Sequence, residues 1–95
     1  MKRIINGKMY NTETAKLIKK YQTTTNHSDF NFRCEELYKK KTGEYFLYKY
    51  GFGVGAGYEW GEKIIIYSSQ KAIKRWMEAY STTDEYILEF GKVEE

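Results

Sequence analysis

The side chains best suited to act as a nucleophile and a base lie between residues 27 and 34. His27 and Asp29 are near neighbours, and Cys34 follows them. A thiol beside an imidazole suits nucleophilic catalysis, but the base must be held by a further group. His27 lies in a polar run without hydrophobic periodicity, whereas Cys34 begins a predicted strand. We therefore expect no catalytic residue, and a weak enzyme that uses Cys34 or His27 is an alternative.

Two other patterns bear on cofactors and metals. Glycine occupies every second position from Gly51 to Gly57, but a strand is predicted to follow, whereas a dinucleotide-binding glycine motif is followed by a helix. We interpret residues 51–61 as a loop between strands.

The consecutive carboxylates Glu35 and Glu36 would point to opposite faces of a strand. One His and one Cys are too few for a zinc site, so the sequence predicts no metal and no cofactor.

Lysine and tyrosine side chains form the most promising surface. Three consecutive lysines lie at the tip of a predicted hairpin, and Lys49 with its neighbouring tyrosines is expected on the facing strand. Lysines contact phosphates without reading a sequence, and aromatic rings stack on bases. Lysines at an exposed strand end also serve solubility alone, and this alternative stays open. The candidate partner-binding residues are Lys19, Lys20, Lys39, Lys40, Lys41, Tyr48, Lys49, Tyr50 and Phe52.

The charge of the chain is unevenly distributed. The 95 residues carry 16 Lys and Arg against 13 Asp and Glu. Residues 1–50 contain 11 basic and 5 acidic side chains, whereas residues 51–95 contain 5 and 8. Such asymmetry favours a charged partner for the basic half. The single Cys and the absence of a long apolar run predict a cytoplasmic protein with no membrane partner.

The hydrophobic and turn patterns predict the elements that position these side chains. Asn6-Gly7 between apolar runs predicts a hairpin. Thr82 with Glu85 predicts a capping box at the start of a helix that ends at Phe90. The predicted strands are residues 2–5, 8–10, 34–40, 44–50 and 63–67, the last of them a buried run. The other predicted helices run from Asn11 or Thr12 to Tyr21 and from Ser68 or Ser69 to Tyr80.

These elements predict an α+β fold in one domain, residues 1–95. A small antiparallel sheet, made of two hairpins and a central strand, would carry one N-terminal helix and two C-terminal helices. The apolar stripe of the first C-terminal helix, which includes Ile73, Trp76 and Met77, would face the sheet.

Several segments together resemble a family of small proteins encoded on phages, plasmids and conjugative elements of AT-rich Gram-positive bacteria. The resemblance rests on Ile4-Ile5-Asn6-Gly7-Lys8, Tyr10-Asn11-Thr12-Glu13-Thr14-Ala15, Thr42-Gly43-Glu44-Tyr45-Phe46-Leu47-Tyr48, Ala72 with Trp76, Glu85-Tyr86, and Phe90-Gly91-Lys92-Val93-Glu94-Glu95. The chain departs from the family pattern between Gly51 and Gly61 and at Tyr67.

The resemblance implies an accessory protein of a mobile element, and small proteins of this kind include anti-CRISPR inhibitors. The expected function is a non-enzymatic inhibitor that binds an RNA-guided Cas nuclease, of the Cas9 type, and blocks target DNA binding or cleavage. The expected partner is therefore a protein, a Cas effector with its guide RNA, with phosphate contacts at the lysines. An RNA- or DNA-binding accessory protein of the element is the alternative.

Overall fold

The computed structural model describes residues 1–24, 31–54, 59–67, 69–91 and 93. The described elements are strands β1 (Lys2–Ile5), β2 (Lys8–Asn11), β3 (Lys16–Gln22), β4 (Arg33–Lys39), β5 (Tyr45–Phe52) and β6 (Trp60–Tyr67), and helices α1 (Gln70–Tyr80) and α2 (Thr83–Phe90). The strands form one sheet of two strands, β1-β2, and one of four, in the order β3-β4-β5-β6. The predicted α+β class is confirmed, but the predicted single sheet is wrong, because the N-terminal hairpin forms a separate two-stranded sheet.

The first two strands form the hairpin that the sequence predicts. They pair antiparallel, with Ile5 opposite Lys8. Asn6 and Gly7 both have positive φ, 51° and 76°. A two-residue turn of type I′ requires this backbone at both central positions, which is why Asn-Gly is favoured there.

The predicted N-terminal helix is wrong. Residues 16–22 form strand β3, which pairs antiparallel with β4 along its whole length. The register shifts between Leu17 and Lys19, so that Ile18 lies in a bulge. A bulge breaks the alternation of faces, which leaves the apolar side chains at the three-residue spacing of a helix. The described ranges therefore contain two helices, both C-terminal, and not the three predicted.

The four-stranded sheet is a meander in which each strand pairs with the next along the chain. The β4–β5 hairpin is confirmed, with Leu37 opposite Leu47. Strand β6, predicted to be central and buried, lies at the edge next to β5. Its isoleucines are only partly covered: Ile64 packs with the N-terminal hairpin and Ile65 with the helix-side core, whereas Ile66 is 36% exposed.

The predicted loop from Gly51 to Gly61 is strand at both ends, and Gly53, Val54 and Glu59 between them are not in a strand. Gly51 and Phe52 end β5, Trp60 and Gly61 begin β6, and the two glycines are register partners. Residues 55–58 of this predicted loop lie outside the described residues. Pairing with β4 and β6 at this end of the sheet outweighs the low strand propensity of glycine.

Both helices pack on one face of the sheet. Helix α1 contributes Ile73, Trp76 and Met77 to the core, as its apolar stripe predicts. Helix α2 begins with the predicted capping box. The Glu85 amide donates to Thr82 Oγ1 at 3.2 Å, and the Thr82 amide donates to Glu85 Oε1 at 2.8 Å. Gly91 ends the helix with φ 85°.

The N-terminal hairpin covers part of the opposite face of the sheet. Tyr10 is 2% exposed and its ring meets Phe46 edge-on, with the centroids 5.4 Å apart. An ion pair of 3.1 Å joins Lys8 to Glu44 at the β4–β5 turn. The hairpin thus shields one end of this face and leaves the end formed by the β5–β6 strand ends to other side chains.

Candidate interaction surface

A group of aromatic side chains lies on the sheet face opposite the helices, at the end that the N-terminal hairpin leaves open. We name it the aromatic patch, and it consists of Phe32, Tyr48, Tyr50, Phe52 and Trp60. Alternation along β5 places Tyr48, Tyr50 and Phe52 on one face. Trp60 on β6 is the register partner of Phe52. The ring centroids of Tyr48 and Tyr50 are 5.1 Å apart, and those of Tyr50 and Trp60 are 6.1 Å apart.

Trp60 is the most exposed ring of the patch and rests on a buried one. The Trp60 side chain is 48% exposed, whereas Phe32 is fully buried. The two rings stack with a centroid separation of 5.7 Å and an interplanar angle of 7°. Phe52 meets the Trp60 ring edge-on at 5.5 Å. A large aromatic surface is therefore held in place at the edge strand and faces outward.

Two carboxylates fix the tyrosine hydroxyls of this face. Glu36 accepts hydrogen bonds from Tyr38 at 2.6 Å and from Tyr50 at 2.9 Å. Glu62 accepts one from Tyr48 at 2.5 Å and lies 3.7 Å from the Arg3 guanidinium. The rings are thus oriented by polar contacts as well as by packing.

The same contacts keep these phenols protonated. Burial raises the pKa of Tyr38, Tyr48 and Tyr50 far above the ordinary value for tyrosine, and the neighbouring carboxylates raise each pKa further. At neutral pH each hydroxyl is therefore a hydrogen-bond donor. The face offers aromatic rings and carboxylates, and no phenolate nucleophile.

The thiol of Cys34 lies under this face and is fully buried. Its Sγ is 3.9 Å from Glu36 Oε2. Burial raises the pKa of the Cys34 thiol, and the Glu36 carboxylate raises it as well. Because the thiolate is the reactive form, this environment opposes the alternative in which Cys34 is a nucleophile. His27 and Asp29 lie outside the described residues.

The consecutive carboxylates Glu35 and Glu36 point to opposite faces, as predicted for a strand. Glu35 Oε1 accepts a hydrogen bond from Trp76 Nε1 at 3.2 Å on the helix side. Glu36 makes its contacts among the tyrosines on the other face. The two carboxylates therefore do not share a site.

Two of the predicted lysines at the β4–β5 turn are held by intramolecular contacts. Lys39 Nζ lies 3.3 Å from Glu89 Oε2 of helix α2. Lys40 Nζ lies 3.6 Å from Glu44 Oε1 and 4.3 Å from the centre of the Tyr10 ring. Lys41 is exposed. Lys39 therefore contacts helix α2, and Lys40 contacts the N-terminal hairpin, so both side chains take part in packing within the fold.

Lys19 and Lys20 lie on strand β3 and not at the end of a helix. Lys19 Nζ lies 3.0 Å from Glu85 on the helix side. Lys20 Nζ lies 3.8 Å from Glu36 Oε2 on the opposite face. Among the predicted partner-binding lysines, Lys20 therefore lies close to the aromatic patch, because it pairs with Glu36.

Lys49 is not across from the lysines of the turn. Its register partners are Glu35 on β4 and Lys63 on β6, whereas Lys39 lies opposite Tyr45. Alternation puts Lys49 and Lys63 on the helix-side face, together with Arg33 on β4. We name these three cations the basic corner. Sequence reasoning missed Arg33 and Lys63, which only the strand register brings beside Lys49.

Ion pairs also join the two halves of opposite charge. Arg3 lies 3.7 Å from Glu62, and Lys19 and Lys39 pair with Glu85 and Glu89 of α2. Part of the positive charge of residues 1–50 is therefore balanced within the fold. A charged partner for the basic half stays a prediction.

Comparison with protein-family models, with curated proteins and with solved structures found no match for this chain. Neither of the described helices is long and apolar enough to cross a membrane. Within the described ranges, no group of three or more His, Cys, Asp or Glu side chains is arranged to hold a metal ion. The geometry of the aromatic patch and of the basic corner therefore carries the functional argument.

Proposed function

We propose that this protein is a non-enzymatic inhibitor that binds an RNA-guided nuclease of the Cas9 type and blocks target DNA binding or cleavage. The observation that carries the binding role is the aromatic patch, with Trp60 48% exposed at the sheet edge. The resemblance to small proteins of mobile elements supports the class of target. The effector protein is the component that the patch contacts.

The composition of the patch suits a protein interface. Tryptophan and tyrosine are enriched among the residues that contribute most to binding, because they bury large areas with few rotatable bonds. Here Tyr50 is held by Glu36, and Trp60 rests on Phe32. Rings that are already ordered lose less conformational entropy when a partner covers them.

The chemistry of the face supports binding over catalysis. Its thiol is buried and its phenols are protonated at neutral pH. Its two carboxylates, Glu36 and Glu62, are engaged by tyrosine hydroxyls. The polar groups of this face thus orient the rings, and the exposed aromatic area is what a partner would cover.

A cleavage assay tests the proposal. Purified protein at about tenfold molar excess is added to a panel of Cas nucleases with their guides, and cut target DNA is quantified. We expect inhibition of at least one Cas9-type enzyme. Undiminished cutting by every nuclease of the panel contradicts the proposal.

A matched pair of variants assigns the inhibition to the patch. Trp60→Ala removes the exposed ring and should raise the inhibitory concentration at least about 30-fold, the effect of losing a contact worth about 2 kcal/mol. Leu88→Ala removes an apolar side chain that is 89% exposed on helix α2, and should leave inhibition unchanged. Equal effects of the two variants would exclude the patch as the contact surface.

One observation favours a second candidate function, an RNA- or DNA-binding accessory protein of the element. Aromatic rings on the open face of an antiparallel sheet are a stacking surface for single-stranded nucleic acid. In that case Trp60→Ala should weaken binding to free single-stranded nucleic acid, and no nuclease of the panel should be inhibited. The carboxylates of Glu36 and Glu62 beside the rings favour a protein partner, because they repel phosphates.

A further inference from the structure

The basic corner concentrates positive charge without balancing it. Lys49 and Lys63 are direct register partners on neighbouring strands, and their side chains share one face. Like charges directly opposite each other destabilise a sheet. Arg33 extends the same face onto β4, where it is exposed, as Lys63 is on β6. The fold thus maintains an unfavourable cluster at this corner.

Three other cations of the four-stranded sheet are paired, whereas Lys16 on β3, opposite Lys39, makes no ion pair with a described residue. Lys19, Lys20 and Lys39 each lie within 4 Å of a glutamate carboxylate. No such ion pair is made by the three corner cations to any described residue. The nearest carboxylate in the register is that of Glu35, opposite Lys49, and it accepts a hydrogen bond from Trp76.

The strand register places two glycines beside this corner. On the same face, the next set of register partners beyond Lys49 and Lys63 consists of Arg33, Gly51 and Gly61. Two of these three positions have no side chain. Gly51 is buried, with the backbone of Phe32 and Arg33 close against it, so a ligand would reach this corner through the exposed side chains of Arg33 and Lys63.

We infer that the basic corner binds the phosphate backbone of RNA. This inference rests on the proposed function and deepens it, because the guide RNA is the polyanion of the nuclease complex. The three cations span two strand spacings, roughly 10 Å, a length over which a single RNA strand carries more than one phosphate. Such contacts give affinity without reading the base sequence.

A titration with free RNA tests the inference separately from cleavage. A labelled single-stranded RNA of about 20 nucleotides, the length of a guide segment, is titrated with protein, and fluorescence anisotropy is followed between about 50 and 200 mM salt. The test variant carries Arg33→Gln, Lys49→Gln and Lys63→Gln. The control variant carries Lys2→Gln, Lys16→Gln and Lys71→Gln, three exposed lysines elsewhere.

The two variants lose the same charge, so they separate a local site from net charge. Three lost phosphate contacts should reduce the slope of log affinity against log salt by about 2. At about 150 mM salt, the affinity for RNA should fall on the order of 50-fold. The control should lose less than about threefold. Equal losses in both variants, or no measurable RNA binding by the unmodified protein, overturn the inference.

Further outcomes separate the inference from the proposed function. If the unmodified protein inhibits a nuclease and the corner variant keeps the full RNA salt slope, the inhibitor role stands and the corner inference fails. If the corner variant loses RNA affinity but no nuclease is inhibited, RNA binding by the corner stands and the target is wrong. Tighter binding to single-stranded DNA of the same length overturns the assignment to guide RNA.

Discussion

The Tyr50 hydroxyl donates a hydrogen bond to Glu36 Oε2 at 2.9 Å, across the pair formed by β4 and β5. The Glu36 side chain is only 12% exposed and also accepts from Tyr38. Two aromatic rings on neighbouring strands are therefore tied to one carboxylate. The shape of the aromatic patch depends on this polar contact as much as on ring packing.

The substitution Glu36→Gln tests that dependence. An amide is uncharged and offers one acceptor oxygen where the carboxylate offers two, so both tyrosine hydrogen bonds lose charge assistance and one loses its acceptor. We expect the free energy of unfolding in urea to fall by about 1–3 kcal/mol. Glu13→Gln, at an exposed position, is the control and should change it by less than about 0.5 kcal/mol. Equal stability of the two variants would show that Glu36 does not hold the rings.

Gly51 is the position where the backbone least tolerates a side chain. Its φ is 139°, and an added Cβ would lie 2.4 Å from the Phe32 carbonyl oxygen, just before β4, and 2.8 Å from the Arg33 Cα on β4. We expect Gly51→Ala to lower the free energy of unfolding by at least about 2 kcal/mol, a fall of roughly 10 °C in the midpoint of thermal unfolding.

Gly43→Ala is the control for the effect of positive φ alone. Gly43 has φ 94° in the β4–β5 turn, and an added Cβ would have no atom within 4 Å. Its substitution should cost about 1 kcal/mol. A Gly51 variant no less stable than the Gly43 variant would mean that β4 moves freely to accept the side chain.

Two adjacent lysines of the turn should behave differently. The Lys40 side chain is 17% exposed, with its ammonium over the Tyr10 ring and beside Glu44. Lys40→Ala should reduce stability by about 1 kcal/mol, because the N-terminal hairpin loses a cation–π contact and packing. Lys41→Ala, at an exposed position, should stay within about 0.5 kcal/mol of the unmodified protein. The comparison uses urea unfolding, and equal losses would contradict the structural role of Lys40.

Acid should weaken the junction between α2 and β3. The backbone amide of Thr82 and the ammonium of Lys19 hold the pKa of Glu85 below its ordinary value. A carboxyl with a lowered pKa in the folded state contributes stability above its unfolded pKa, about 4.3, and loses that contribution as pH falls through the folded pKa. The midpoint of thermal unfolding should therefore fall as pH is lowered from about 5 towards 3.

The variant Glu85→Gln isolates this carboxyl from the others. At neutral pH it should be less stable than the unmodified protein, because the ion pair with Lys19 is lost. Below the folded pKa of Glu85 the difference should shrink, since the carboxyl is then neutral in both states. A difference that is constant with pH would show that the charge of Glu85 does not contribute.

Local turn and capping chemistry could be predicted from the sequence. Asn6-Gly7 forms its hairpin, and Thr82 with Glu85 forms its capping box, because each depends on a few adjacent residues. Alternation along the predicted strand 44–50 places Tyr48 and Tyr50 on one face, as the structure has them, whereas Phe52 falls in the predicted loop. These features need no knowledge of distant contacts.

The features that failed depend on distant partners. Strand β3 resembles a helix because a bulge at Ile18 removes its alternation, and only pairing with β4 reveals it. Lys49 was grouped with the wrong lysines, because the register with Lys63 follows from the pairing of β5 with β6. The basic corner and the Phe32 support of Trp60 are likewise products of strand pairing and packing.

The meander order β3-β4-β5-β6 also bears on how quickly the chain acquires its structure. Each strand pairs with its neighbour in sequence, and the two helices follow in succession. Closing short loops costs little entropy, so the search for partners is brief. A chain with this connectivity can order each hairpin soon after both of its strands leave the ribosome, without waiting for a distant segment to be synthesised.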